Sequence, residues 1–198
     1  MKKINILVLL FIGIIASVTV NAQNNKGDLL KLDLGLLNKI RLTYEHPLTT
    51  AFTTGASGDF YYGSFPGYKV EPFLRYYMGG EAPSGLYLQG RFLYGSFSKD
   101  FVYYATGFGN QNSSNFLETL YKKNTVSSTG GGLDLGYQWL SGREKNIVVD
   151  FSLGVQAMND INHEIKQNGI TYSTTNIGFL TTGPGGIFNP HLSIGYRF

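Results

Sequence analysis

The sequence predicts an all-β protein, an eight-stranded antiparallel up-and-down transmembrane β-barrel. Three observations carry this. Apolar and polar residues alternate with period two along most of the chain, so each strand has an apolar and a polar face. Only 15% of residues are charged, against about 25% in soluble domains, while glycine (26 of 198) and aromatics (15%) are abundant. The connections also alternate in length, as in barrels with short periplasmic turns and longer external loops. A mean hydropathy of −0.07 is compatible with this, because alternation averages out.

The first strand is "GDLLKLDLGLL", with Leu30, Leu32, Leu34 and Leu36 on one face and Lys31, Asp33 and Gly35 on the other. A tight Asn38-Lys39 turn leads to "IRLTYEH", where Ile40, Leu42 and Tyr44 oppose Arg41, Thr43 and Glu45, and Pro47 stops the strand. In "TAFTTGASGDFYYG" the alternation is weaker; Phe52, Thr54, Ala56, Phe60 and Tyr62 fall together. "GYKVEPFLRYYMGG" sets Tyr68, Val70, Leu74, Tyr76 and Met78 against Lys69, Glu71, Arg75 and Tyr77, and residues 79–84 turn. In "GLYLQGRFLYGSF", Leu86, Leu88, Phe92 and Tyr94 oppose Gln89 and Arg91. "TGGGLDLGYQWL" sets Leu133, Leu135, Tyr137 and Trp139 against Asp134, Gly136 and Gln138, before the turn "SGREKN". In "IVVDFSLGVQA", Ile147, Val149, Phe151, Leu153 and Val155 oppose Asp150, Ser152 and Gln156. The eighth strand runs from Phe188 to Phe198, with Leu192, Ile194, Tyr196 and Phe198 opposite His191, Ser193, Gly195 and Arg197. Short connections at 47–49, 79–84 and 141–146 lie on one side, and long ones at 98–126 and 158–187 on the other.

A soluble barrel of the lipocalin kind alternates too, with its apolar face inward. The charges decide between the two. Lys31, Asp33, Arg41, Glu45, Glu71, Arg75, Arg91, Asp134, Asp150 and Arg197 lie mid-strand opposite the leucines, with the two signs nearly balanced. A narrow lumen requires that balance, because an unpaired buried charge costs several kcal/mol. Tyr44, Tyr62, Tyr68, Tyr76, Tyr94, Trp139, Tyr196 and Phe198 lie near strand ends, where interfacial girdles form.

Residues 1–22 read as a secretory signal peptide: Lys2 and Lys3, an apolar run from Ile4, and a small-residue exit at Val20-Asn21-Ala22. Residues 23–198 are then the barrel domain, exported to the bacterial outer membrane. Removing the signal takes away two of the 16 basic residues and none of the 13 acidic ones, leaving a net charge near +1. That is no footprint for nucleic acid. The absence of cysteine rules out a disulfide framework and a lipid-modified N-terminal cysteine.

The ending "HLSIGYRF" looks like the assembly signal of outer-membrane barrels, and "VEPFLRYYMGGEAPSGLYLQGRFLYG" resembles a family of small outer-membrane barrels of unknown function. More distantly the chain is similar to the OmpX and OmpA transmembrane type. The resemblance implies location, contact with outer-membrane lipid and lipopolysaccharide, assembly by the barrel-assembly machinery and a monomeric state. It supplies no catalytic residue.

Chemistry is sparse. The three histidines, His46, His163 and His191, have no metal-ligand spacing, so neither a metal nor a cofactor is expected. His191 and Ser193, with Asp150 or Glu45 as the orienting acid, are the candidates for an alternative reading as a lipid A deacylase. Lumen polar residues in a hydrogen-bonded plug are the preferred reading, so no catalytic site is assigned. "TGFGNQNSS" (106–114) opens no helix and makes no phosphate cradle, and "NDINHE" (159–164) lacks the glycine and glutamate of a calcium loop. A barrel of this size is just filled by side chains, which argues against a pore. The loops 98–126 and 158–187 remain, as the place for a structural or surface-interaction role toward an extracellular ligand.

Overall fold

The computed structural model describes residues 27–34, 39–63, 65–79, 81–105, 119–159, 164–167, 170–173 and 183–198. The expected signal segment, Asn38, His163 and the stretch 106–114 lie outside the described residues. Eight strands form the barrel: β1 (Leu29–Leu34), β2 (Lys39–Pro47), β3 (Phe52–Tyr61), β4 (Gly67–Tyr77), β5 (Gly85–Ala105), β6 (Thr119–Ser141), β7 (Ile147–Met158) and β10 (Phe188–Arg197). Two short strands, β8 (Glu164–Gln167) and β9 (Ile170–Ser173), form a hairpin between β7 and β10. Each barrel strand pairs antiparallel with its sequence neighbour. The sheet closes where β10 pairs with both β7 and β1. At that seam the Phe198 amide donates to Asp28 O at 2.9 Å, which holds the end of the terminal strand.

The faces lie as the alternation predicts. Leu30, Leu42, Leu74, Leu88, Leu135, Phe151, Leu153 and Ile194 point outward and are exposed. Lys31, Arg41, Glu45, Glu71, Arg75, Arg91, Asp134 and Asp150 point into the lumen and are buried. This inverts the arrangement of a soluble barrel. Phe52, Tyr76, Tyr137, Trp139, Tyr196 and Phe198 form an exposed aromatic band at the short-turn end. Phe60, Tyr62, Tyr68, Phe92 and Tyr94 form another toward the opposite end. Tyr44 is half-buried, with its hydroxyl donating to Asp28 at 2.7 Å.

Four expectations change. The segment 98–126 is not simply a loop, because β5 continues to Ala105 and β6 starts at Thr119, their ladder unbroken. Each strand supplies the other's hydrogen-bond partners there, which the polar local composition does not disclose. The connection 158–187 contains the β8–β9 hairpin, and β9 pairs with the far end of β5. Lys39 is not a turn residue; it opens β2 and its side chain is buried in the lumen. Arg197 is not a lumen charge, since it donates to Glu144 O at 3.2 Å at the exposed rim.

The lumen is layered. At the short-turn mouth, Tyr77, Ala82 and Tyr87 form an apolar cluster. At the opposite mouth Phe65, Leu93, Phe97, Val126 and Met158 are buried. Charged residues fill the level between. Glycine is required where a lumen side chain crosses a neighbouring strand: a Cβ on Gly154 would lie 1.6 Å from Asp134 Oδ1, and one on Gly136 would lie 2.4 Å from the Tyr87 ring.

Gly154→Ala should therefore lower stability to denaturant in detergent by about 1–3 kcal/mol, since Asp134 must shift from its partners. Gly131→Ala, whose Cβ meets nothing nearer than 3.7 Å, should stay within about 0.5 kcal/mol of the parent. Equal effects would contradict the close approach of Asp134 to β7.

Candidate functional site

Inward positions on β1 to β7 place twelve buried charged residues in the lumen among the described residues. Six are basic (Lys31, Lys39, Arg41, Lys69, Arg75, Arg91) and six acidic (Asp33, Glu45, Asp59, Glu71, Asp134, Asp150). The formal charges cancel.

Eleven of them form two clusters, and Asp33 pairs with His191. Near the short-turn mouth, Lys31 Nζ lies 2.6 Å from Glu45 Oε2 and 2.6 Å from Asp150 Oδ2. Arg75 Nη1 reaches the same two carboxylates at 3.0 and 2.9 Å. The remaining oxygens are also used: Glu45 Oε1 accepts from Thr53 at 2.7 Å and Tyr77 at 2.8 Å, and Asp150 Oδ1 from Tyr87 at 2.6 Å. The Arg75 guanidinium donates to Gln89 and stacks 4.1 Å from the Tyr87 ring centroid. The four charges tie together four strands, β1, β2, β4 and β7.

In the second cluster Arg41 binds Asp59 at 2.5 and 2.9 Å and Glu71 at 2.8 Å. Lys69 reaches Glu71 at 2.6 Å, and Arg91 bridges Glu71 at 2.8 Å and Asp134 at 2.8 and 2.9 Å. The 2.8 Å contact from Arg91 Nε is an ion pair whose N–H is misaligned, so this nitrogen makes no hydrogen bond. Gln89 links the clusters, accepting from Arg75 and donating to Asp134 at 2.9 Å.

The candidate catalytic residues do not assemble as the sequence suggested. His191 and Ser193 both face the lumen and are buried. The acid beside His191 is Asp33, at 3.2 Å from Nδ1, not Asp150 or Glu45, which are held by Lys31 and Arg75. The physical reason is register. Asp33 reaches His191 diagonally across the β1–β10 seam, while Asp150 sits opposite Ser193 on β7. His191 Nε2 is buried without a partner. Among the described residues, no group of three His, Cys, Asp or Glu side chains could hold a metal ion. Asp59 was missed by sequence reasoning because it sits in the glycine-rich β3, where alternation is weak.

Fold and lumen together define a closed eight-stranded barrel with an apolar exterior and an ion-paired interior. No protein-family model and no curated protein matches the chain. Among solved structures it is similar to the N-terminal β-barrel domain of Pseudomonas aeruginosa OprF, with 14% identity and a TM-score of 0.42, over 88% of this chain and 100% of that one. It is also similar to Ail, the attachment invasion locus protein of Yersinia pestis, solved with the heparin analogue sucrose octasulfate. There the identity is 17% and the TM-score 0.35, over 87% of this chain and 94% of that one.

Arg75→Ala leaves Glu45 and Asp150 with half their cationic partners in a dry site. It should destabilise the folded barrel by about 3–5 kcal/mol, measured by unfolding in detergent. Arg197→Ala, at the exposed rim, should change stability by less than about 0.5 kcal/mol. If the two variants behaved alike, Arg75 would be hydrated and the lumen open.

Proposed function

We propose that the protein is a bacterial outer-membrane barrel that serves as a rigid stub for a projecting surface sheet, with a structural or partner-binding role and no enzymatic one. The apolar exterior supports the membrane assignment. Exposed Leu, Ile, Val and Phe run around the barrel between two aromatic bands, far more contiguous apolar surface than a soluble monomer leaves in water. The long strands and long connections lie at the end away from the short turns, so that end faces outward from the cell.

The observation that carries the interaction role is the continuation of the β5–β6 ladder. Last paired with β4 at Phe97, β5 goes on for seven further pairs with β6, from Ser98↔Thr125 to Tyr104↔Thr119. At roughly 3.3 Å per residue this projects about 23 Å beyond the barrel. At its tip β9 pairs with β5 and β8 with β9, widening the projection to four strands. Among the described residues, β6 pairs with β5 alone from Thr119 to Ser128, because β7 joins it only from Gly130. Such an unpaired edge offers backbone donors and acceptors to an extended segment of a partner.

The deacylase reading has less support. His191 and Ser193 point into a plugged lumen, while an acyl chain would lie against the outer wall, and Asp150 and Glu45 are committed to Lys31 and Arg75. Its direct check is the mass of lipid A from cells with and without the gene. An acylation change that depends on His191 and Ser193 would overturn the non-enzymatic assignment.

The folded protein should fractionate with the outer membrane and change gel mobility on boiling. Leu153→Arg should cost about 2–4 kcal/mol in a bilayer, because this position faces hydrocarbon. Replacing residues 100–123 by a tight turn should leave the boiling shift intact and abolish surface partner binding. A soluble periplasmic protein without the mobility shift would end the membrane reading, and undiminished binding by the shortened protein would end the interaction role of the sheet.

A further inference from the structure

Both mouths of the lumen are closed by short chain segments, and each segment is held by the amide of a lumen glutamine. At the short-turn mouth Gln138 Nε2 donates to Pro83 O at 2.6 Å. At the mouth under the projecting sheet Gln156 Nε2 donates to Pro184 O at 3.0 Å, and Pro184, Gly185 and Gly186 are buried. The other end of each glutamine faces a charge cluster. Gln138 Oε1 accepts from Lys31 at 2.7 Å and Arg75 at 3.0 Å. Gln156 Oε1 accepts from Arg91 and Asn189 at 3.3 Å and from Lys69 at 3.4 Å.

The two closures differ in how firmly they are fixed. The short-turn segment packs Ala82 against Tyr77 and Tyr87, and its Ala82 amide donates to Thr50 O at 2.7 Å. The segment at the other mouth is Gly183-Pro184-Gly185-Gly186, which has almost no side chain with which to pack. Its internal bond is Gly186 N to Gly183 O at 3.0 Å, and its β10 end is pinned by Gln156 N to Ile187 O at 2.8 Å. Beneath it, polar capacity is left over. Among the described residues, Lys39 Nζ has acceptors only at 3.2 and 3.4 Å, and His191 Nε2 is buried without a partner.

We propose that residues 183–186 are a displaceable strap latched by Gln156. Release of the strap opens the sheet-side half of the lumen to water and small hydrophilic solutes. Lifting the strap costs one neutral hydrogen bond and little apolar contact, and hydrates Lys39 and His191 in return. The opposite mouth has no such exchange available. Opening it would strip the Tyr77–Ala82–Tyr87 packing and expose the Lys31–Glu45–Arg75–Asp150 pairs, so it stays shut. The lumen is therefore a chamber with a single door.

The chain has no cysteine, so Ser57→Cys, opposite Glu71 in the cluster that Gln156 faces, installs a single thiol in the sheet-side half of the lumen. Its reaction rate with a small charged methanethiosulfonate, in detergent micelles, reads access to the chamber. Gln156→Glu keeps the acceptor facing Arg91, Lys69 and Asn189 and removes the donor to Pro184. It should raise the rate about five- to tenfold, the population change that follows loss of one neutral hydrogen bond. Gln138→Glu should leave the rate unchanged, and bilayer conductance should stay at the parent level in both. An unchanged rate in Gln156→Glu, or an equal rise in Gln138→Glu, would overturn the latch. Increased conductance in Gln156→Glu would overturn the single door. If Gln156→Glu loses its boiling-dependent mobility, Gln156→Met removes the donor without adding a charge and gives the same two readings.

Discussion

Twelve charged side chains share the inside of a barrel too narrow to hydrate them, and the rest of the molecule is arranged around that fact. Taking each ion out of water costs several kcal/mol, returned only if every oxygen and N–H finds a partner. Lys31 and Arg75 do this by sharing Glu45 and Asp150 between them, with Thr53, Tyr77 and Tyr87 capping the remaining oxygens. Because the partners come from β1, β2, β4 and β7, the pairs form only when the barrel is closed and in register. The network is thus a poor source of net stability and a strict test of register. A slip of one strand by one residue would turn that strand's lumen charges into the membrane.

The same constraint explains the ends. Ion pairs gain strength where water is excluded, and a lumen open at both mouths would screen them. Tyr77, Ala82 and Tyr87 at one end, and the segment 183–186 together with buried Phe65, Phe97 and Met158 at the other, keep bulk solvent from the charged level. Small residues on neighbouring strands make room for this filling. Gly136 admits Tyr87, and Gly154 lets Asp134 lie against β7. Abundant glycine is a packing consequence of large side chains pointing inward.

A filled barrel is a rigid base, and that bears on the sheet above it. Strands β5 and β6 leave the barrel already paired and in register, so the projection begins with its geometry set. Unpaired edges are ordinarily an aggregation liability in soluble proteins. Here the edge of β6 is anchored to a membrane-embedded stub, which keeps one copy from sliding freely against another. In the proposed role, a surface that would be hazardous in solution serves as a recognition edge.

Sequence alone determined the strand faces, since period-two alternation is local and each residue's side depends only on its neighbours. It also determined which face meets lipid, because Lys31, Arg41, Glu45, Arg75 and Asp150 could not lie there in balanced pairs by chance. Tertiary structure decided everything that depends on closure. Asp33, not Asp150, meets His191 because β1 and β10, more than 150 residues apart, set that register. Residues 98–105 and 119–126 are strand and not loop because each supplies the other's ladder, a relation between two segments that neither spells out. Lys39 and Asp59 entered the lumen for the same reason. A residue at a strand end or in a glycine-rich stretch has no local pattern to declare its side, and only the pairing of β2 with β3 fixes it.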